Sequence, residues 1–296
     1  MPEGDVVWRT AHRLHRALAG RELLAADLRW PSLATADLAG RRVLEVVSAG
    51  KHLLTRLAAH GDEPALTLHS HLRMEGSWYV ERTGDQRGRR SASGIRAVLA
   101  TREWTAVGHK LGMLDLVPTA REDGLVGHLG PDLLGPGWDA EQARRRLLRQ
   151  PERELGAALL DQRVLAGVGT FYMAEACFLA RLTPWSPVRA VADLPAFVDL
   201  LHRLLEVNKE RVEQVTTGDL RHGRHNYVHG RSGLACLRCG STVRVAMIGE
   251  APQERTAFYC PGCQRGPAPT DDGRPQRPLG HVDRARTTRT SYRTRR

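Results

Sequence analysis

Four of the five cysteines form two Cys-x2-Cys pairs, Cys236-Leu-Arg-Cys239 and Cys260-Pro-Gly-Cys263, with twenty residues between them. Two such knuckles at that separation bring four thiolates to one tetrahedral Zn2+. All four positions are then filled by protein, so the site is structural rather than catalytic. The plainer alternative, reduced cysteines in a hairpin, needs this spacing to arise by chance. Cys177, on an apolar helical face, reads as a core residue. Residues 243–248 and 256–259 have strand character, so a metal-pinned hairpin follows, with Arg255 near its turn. A lone Arg is ordinarily a solvated surface residue. On a rigid hairpin it becomes a candidate for insertion into a nucleic-acid groove.

The start of the chain is a second chemical candidate. Initiator Met is normally trimmed before Pro, which would expose a secondary amine at Pro2 with Glu3 beside it. An amine next to a carboxylate is a nucleophile–proton shuttle pair, and a secondary amine gives a charged iminium that acts as an electron sink. Taken alone, Pro2 is more often a helix-flanking residue and Glu3 a helix-dipole partner. A third candidate is the run from Leu165 to Glu175, Leu-Ala-Gly-Val-Gly-Thr-Phe-Tyr-Met-Ala-Glu. Gly167 and Gly169 allow a close approach, and a helix starting near Thr170 would turn free N–H groups and its positive dipole end outward, a phosphate site in principle. By itself a packing corner between helices is the better reading.

These groups need elements to position them. Asp5 is placed to cap a helix with Val7, Ala11, Leu14 and Leu18 on its apolar face and Gly20 as its stop. Strands are expected over 22–30, 42–48, 52–57, 65–72, 77–80, 95–100 and 111–117, with a tight turn at Ala49-Gly50 that sets Lys51 at its edge. That succession argues for a β-sandwich or barrel. Residues 83–93 are polar and Arg/Gly-rich and read as a mobile loop. From Asp139 the period becomes helical, with helices expected over 140–150, 152–160, 170–182 and 194–215. The stretch 130–137, with its prolines and glycines, reads as the linker between domains.

The 296 residues predict about two domains of ordinary globular composition, 41% hydrophobic and 26% charged. The formal charge is +11, and only three basic residues, Lys51, Lys110 and Lys209, are lysine. A pI of about 10.2 suits a nucleic-acid binder as well as a soluble protein with a basic tail. Beyond Gly266 eight Arg and three Asp supply part of that charge, and the tail reads as disordered. The N-terminus lacks a secretory pattern and no apolar run is fit to span a membrane, so a cytoplasmic protein is expected.

Together these signals resemble the formamidopyrimidine-DNA glycosylase / endonuclease VIII family, and its actinobacterial endonuclease VIII branch in particular. The carrying residues are Pro2-Glu3-Gly4, Gly50-Lys51, Ser70-His71-Leu72-Arg73-Met74, the run from Leu160 to Gly169, and the four cysteines with Arg255, in family order over residues 2–263. The resemblance implies an α+β multidomain fold: an N-terminal catalytic β-sandwich flanked by helices (1–130), a helix–two-turn–helix DNA-binding domain (131–227), a four-cysteine zinc finger with a β-hairpin (228–265), and a disordered basic tail (266–296). It implies a bifunctional DNA glycosylase and AP lyase of base-excision repair. Pro2 would be the nucleophile, Glu3 the general acid/base and Lys51 a catalytic contact to the DNA beside the lesion. His71, Gly167, Gly169, Thr170 and Arg255 would hold DNA, and Arg73 and Met74 would stand where the flipped base leaves a void. Cys236, Cys239, Cys260 and Cys263 would hold one structural Zn2+.

The expected partner is duplex DNA with oxidised bases or abasic sites, single-stranded DNA being left open, and the protein a monomer without membrane contact. The chain departs from the family at Thr170, where Asn is usual, and at Asp5-Val6, where Pro-Glu is common, so no second carboxylate is expected there. The stretch 215–229 is short and lacks the longer lesion-cradling loop that the family associates with 8-oxoguanine, so the resemblance implies oxidised pyrimidines over purines. Two rival readings are a non-catalytic damaged-DNA-binding protein of the same fold, supported by Thr170 and Val6, and a single-strand or RNA binder, supported by charge alone.

Overall fold

The structure is a computed structural model describing residues 2–84 and 92–269. The expected loop at 83–93 and the basic tail therefore lie largely outside the described residues.

The chain opens on α1 (Gly4–Leu18), whose Val7, Ala11, Leu14, Ala17 and Leu18 are buried along one face. Ala19 ends the helix and Gly20 follows with φ of 76°. Glu3, not Asp5, is the N-cap, because the helix already starts at Gly4 and Asp5 lies in its first turn. Eight strands follow: β1 (Ala25–Leu28), β2 (Val43–Ala49), β3 (His52–Leu57), β4 (Leu66–His71), β5 (Ser77–Arg82), β6 (Ile95–Ala100), β7 (Trp104–His109) and β8 (Met113–Pro118). Among the described residues they form two antiparallel four-stranded sheets, ordered β1-β6-β7-β5 and β2-β3-β4-β8. Their inner faces and α1 share a core of Leu14, Leu18, Leu53, Leu57, Leu68, Trp78, Leu99 and Leu114. Strand β7 escapes the sequence pattern because its inward positions are the small residues Ala106 and Gly108. A Cβ on Gly108 would stand 2.6 Å from Leu111 and 3.2 Å from the Trp78 ring, so the bulky partner supplies the packing.

The second half contains the short α2 (Asp123–Val126), and then α3 (Ala140–Leu148), α4 (Leu155–Leu160), α5 (Thr170–Leu179) and α6 (Leu194–Asn208) around a separate core that includes Leu147, Leu159, Tyr172, Phe197, Val198 and Leu201. Three helices are shorter than their apolar pattern by three residues or more. The α4 start shifts to Leu155, where backbone N–H groups of Leu155 and Gly156 donate to Ser186 and Pro184. Helix α5 stops before Arg181, whose left-handed φ of 60° lets the Leu182 N–H bond Cys177 C=O at 3.0 Å. Helix α6 stops at Asn208, whose side chain accepts the Val215 N–H at 2.7 Å and donates to Leu204 and Val215 carbonyls, folding the chain back. Finally β9 (Arg244–Ile248) and β10 (Arg255–Tyr259) make an antiparallel hairpin. It packs on α5 through Val243, Val245 and Phe258 against Ala174 and Phe178.

Candidate active site and nucleic-acid interface

Glu3 is fully buried, and its carboxylate lies against the N-terminus of α5. It accepts N–H bonds from Phe171 at 2.7 Å, Gly169 at 2.8 Å and Tyr172 at 3.3 Å. The donors left over at a helix start, with the positive end of its dipole, replace the lost water. Gly169 has no side chain because none fits: a Cβ there would lie 2.4 Å from the Glu3 carboxyl carbon. The half-buried Pro2 precedes it, and Gly4 N–H donates to Gly167 C=O at 2.9 Å, clamping the chain start to the corner between α4 and α5. Gln162 shapes that corner, accepting from Gly167 N–H at 3.0 Å and donating to the Leu160 and Val168 carbonyls.

The carboxylate of Glu3 takes part of this helix start, consistent with the packing corner that the residues alone favour. The amides of Gly169, Phe171 and Tyr172 are taken by Glu3, and Gly167, Gly169 and Thr170 are all buried. Three amides at the helix terminus thus bind an internal anion.

Lys51 leaves the β2–β3 turn beside this carboxylate. Gly50 forms the turn with φ of 56°, and its N–H donates to Asp132 Oδ2 at 2.8 Å, while Leu134 N–H donates to Asp132 Oδ1 at 3.1 Å. Burial pushes the Lys51 ammonium below its ordinary value, the Glu3 charge opposes this, and Arg255 adds to the lowering. Burial likewise raises the Glu3 carboxyl, with Lys51 and the Phe171 N–H pulling it back and Asp5 adding to the rise. Glu3, Lys51 and the hairpin's Arg255 thus share one electrostatic environment. Arg255 opens β10 opposite Ile248, as expected near the turn, and its guanidinium donates to the Gln253 and Glu254 carbonyls at 2.9 and 3.0 Å.

His71 ends β4, and its Nδ1 accepts the Arg73 N–H at 2.9 Å. Arg73 and Met74 follow in an exposed turn, Arg73 at a left-handed φ of 50° and Met74 64% exposed. An apolar side chain held that far out of the core is free to enter a stack of bases. Next to it Glu75 pairs with Lys110 at 2.7 Å.

The four cysteine sulfurs lie within 4.8 Å of one another, with Cys239–Cys260 at 3.4 Å and Cys236–Cys263 at 3.9 Å. Thiolates at about 2.3 Å from a tetrahedral ion would stand about 3.8 Å apart, so the set fits one metal ion.

Several residues of the site are not prominent in the sequence. Asp5, read as a cap, is a buried carboxylate that accepts two bonds from Gln214 at 2.9 and 3.0 Å and acts on Glu3, so a second carboxylate does stand near. Glu175, wholly buried, gathers the N–H groups of Tyr227, Val228 and His229 at 2.8 to 2.9 Å and the Thr216 hydroxyl, tying the 216–229 segment onto α5. His52, His69 and Asp115 form a hydrogen-bonded row across β3, β4 and β8. No local motif announces these residues, since their partners lie tens to hundreds of positions away. Among the described residues no helix is long and apolar enough to cross a membrane.

Comparison with known proteins agrees with this geometry. The formamidopyrimidine-DNA glycosylase N-terminal domain family matches residues 1–110. The chain is 52% identical over 279 residues to "Probable endonuclease 8 2" of Streptomyces coelicolor, covering 93% of this chain and 98% of that protein. It is 42% identical over 264 residues to "DNA-(apurinic or apyrimidinic site) lyase Nei2" of Mycolicibacterium smegmatis, covering 89% and 99%. The fold is that of Lactococcus lactis Fpg, solved with DNA containing an abasic site, at a TM-score of 0.71 and 21% identity over 89% of this chain and 100% of that one. The chain belongs to the formamidopyrimidine-DNA glycosylase / endonuclease VIII family of DNA-repair enzymes, DNA glycosylases with AP lyase activity.

Proposed function

We propose that this chain excises oxidised bases from duplex DNA through a Schiff base on Pro2 and then cleaves the strand by β,δ-elimination. The observation that carries this reading is the seat of Glu3: a dehydrated carboxylate fixed by three amides, one residue from Pro2 and within the field of Lys51. A lesion must first leave the stack, which costs a few kcal/mol. Exposed Met74 and Arg73 fill the void, while Lys51, His71 and Arg255 hold phosphates and position the duplex without reading its sequence.

With Met1 removed, the Pro2 nitrogen attacks C1′, and the base leaves with the C1′–N bond electrons and takes up the proton that the amine sheds. Glu3 protonates the ring oxygen as the sugar opens, giving the iminium. The iminium acidifies the C2′ hydrogen, and its loss expels the 3′ phosphate oxygen. A second elimination expels the 5′ phosphate and leaves a one-nucleotide gap, and water returns the proline amine. Burial holds the Glu3 carboxyl above its ordinary value, which favours its acting as a proton donor.

Cys236, Cys239, Cys260 and Cys263 would hold one structural Zn2+, which fixes the hairpin bearing Arg255. The short 216–229 segment, tied down by Glu175, supports a preference for oxidised pyrimidines over purines. The protein would act as a monomer. Borohydride trapping with duplexes carrying thymine glycol, dihydrouracil, 8-oxoguanine or an abasic site tests this. A covalent adduct lost in Pro2→Gly, with the pyrimidine lesions cut fastest, is expected. DNA binding without an adduct would favour the non-catalytic reading, and faster cutting of 8-oxoguanine would overturn the preference.

A further inference from the structure

Four histidines meet close to Lys51, beside the active site. Asp115 Oδ2 accepts from His69 Nδ1 at 2.9 Å, and His69 Nε2 lies 2.8 Å from His52 Nδ1. The His52 ring stacks on His69 at 5.0 Å and meets His71 edge-on at 5.1 Å and His128 at 6.2 Å.

The hydrogen bonds fix the neutral tautomers. A carboxylate only accepts, so His69 carries its proton on Nδ1 and its Nε2 is an acceptor. His52 must then donate from Nδ1, which leaves a bare lone pair on His52 Nε2. His71 is the reverse: its Nδ1 accepts the Arg73 N–H, so its proton sits on Nε2. His71 can therefore donate to a phosphate without becoming charged, whereas His52 cannot donate from Nε2 until it is protonated there.

His52 follows Lys51 in the chain and is directly opposite His71 in the β3–β4 ladder. A phosphate held by Lys51 and His71 together would come close to it. We propose that His52, seated by the Asp115–His69 relay, is a further phosphate ligand of the site, and that it takes up a proton at Nε2 as DNA docks. This rests on the DNA-binding reading of Lys51 and His71 above.

In the free protein the ring is neutral. Burial and the neighbouring His69, His71, His128 and Lys51 bring His52 down to about 3, and burial with His69, Lys51 and Arg73 brings His71 to about 4. An arriving phosphate reverses the local charge, and Asp115 stabilises the imidazolium through His69, as a carboxylate does behind any histidine that must become charged. The proton is bound in the complex and not before it, so affinity falls as pH rises.

The test is the affinity for a duplex carrying a tetrahydrofuran abasic analogue, which cannot be cleaved, between pH 5.5 and 8.5. Wild-type affinity should fall more steeply than that of His52→Gln, by up to about tenfold per pH unit for one linked proton. The two should converge at the alkaline end. Asp115→Asn, on a half-exposed side chain and so a milder change for folding, should move the inflection to lower pH. Equal slopes in wild type and His52→Gln, or an unmoved inflection in Asp115→Asn, would overturn the proposal. Borohydride trapping of wild-type protein on a natural abasic duplex is read separately, so failure of the parent mechanism is distinguishable from failure of this one.

Discussion

A carboxylate without water keeps its charge only where donors stand in for the water, and Glu3 has three amide donors and the end of a helix. Glu3→Gln would turn a side-chain NH2 toward amides that themselves donate, at a cost of about 1–3 kcal/mol for the unsatisfied group. Base excision should fall by about 10²–10⁴-fold. The pH dependence of stability has a definite sign. The folded carboxyl binds its proton more tightly than the unfolded one, whose ordinary value is 4.5. The Glu3 contribution is therefore fully present below that value and is lost as pH rises through the raised one. Urea unfolding of wild type and Glu3→Gln from pH 4 to 8 should show the gap changing in that direction, and parallel curves would refute it. Gly169→Ala isolates geometry from charge. Residue 169 has an ordinary extended φ of −124°, so the substitution strains no backbone, and the atoms nearest its new methyl belong to Glu3. Displacing that carboxylate by about 1 Å should cost about 10²-fold in rate while the fold survives; an unaffected rate would show that the position of Glu3 is not critical.

At the scale of elements, the turn before Lys51 is held from the other half of the chain. Asp132, beyond the sandwich, takes the Gly50 N–H, and a Cβ on Gly50 would stand 3.1 Å from the Ala166 methyl at the corner between α4 and α5. Gly50→Ala should cost about 1–2 kcal/mol for its left-handed backbone alone. Asp132→Ala should orphan two backbone donors without touching any proposed DNA contact. Both should weaken binding to an abasic duplex with little change in single-turnover chemistry at saturating DNA; a change in chemistry alone would argue against a positioning role. Local chemistry made this turn legible in the sequence, since Ala49-Gly50 between two apolar strands has few other solutions. The same holds for α1, with its clean apolar stripe, and for the cysteine hairpin. What stayed hidden was decided by remote partners. Helix α6 ends where Asn208 finds Val215, the glycine of β7 is packed against Leu111 and Trp78, and amides at the α5 terminus bind Glu3, which arrives from the far end of the chain.

At the scale of the molecule, α5 joins what the sequence lists as separate motifs. Its N-terminus seats Glu3, Tyr172, Met173, Ala176 and Cys177 belong to the helical core, and Ala174 and Phe178 meet the cysteine hairpin. The hairpin in turn carries the Arg255 charge that acts on Lys51. Cys236 and Cys260 are themselves part of the apolar cluster against α5, so the metal cluster and the packing are one unit. Four unscreened thiolates could not remain together without a cation, so loss of metal should loosen the hairpin first and leave the two larger cores standing. Stripping the metal with a chelator should therefore reduce affinity for abasic duplex by at least about tenfold, equivalent to about 1.4 kcal/mol. The Pro2 adduct should still form at saturating DNA, because Glu3 is held by amides at the opposite end of α5. Anisotropy and borohydride trapping on the same chelated sample, with metal analysis to verify removal, read the two effects separately. Unchanged affinity after verified removal would detach Arg255 from DNA binding, and loss of trapping at saturation would mean that the hairpin also supports the seat of Glu3.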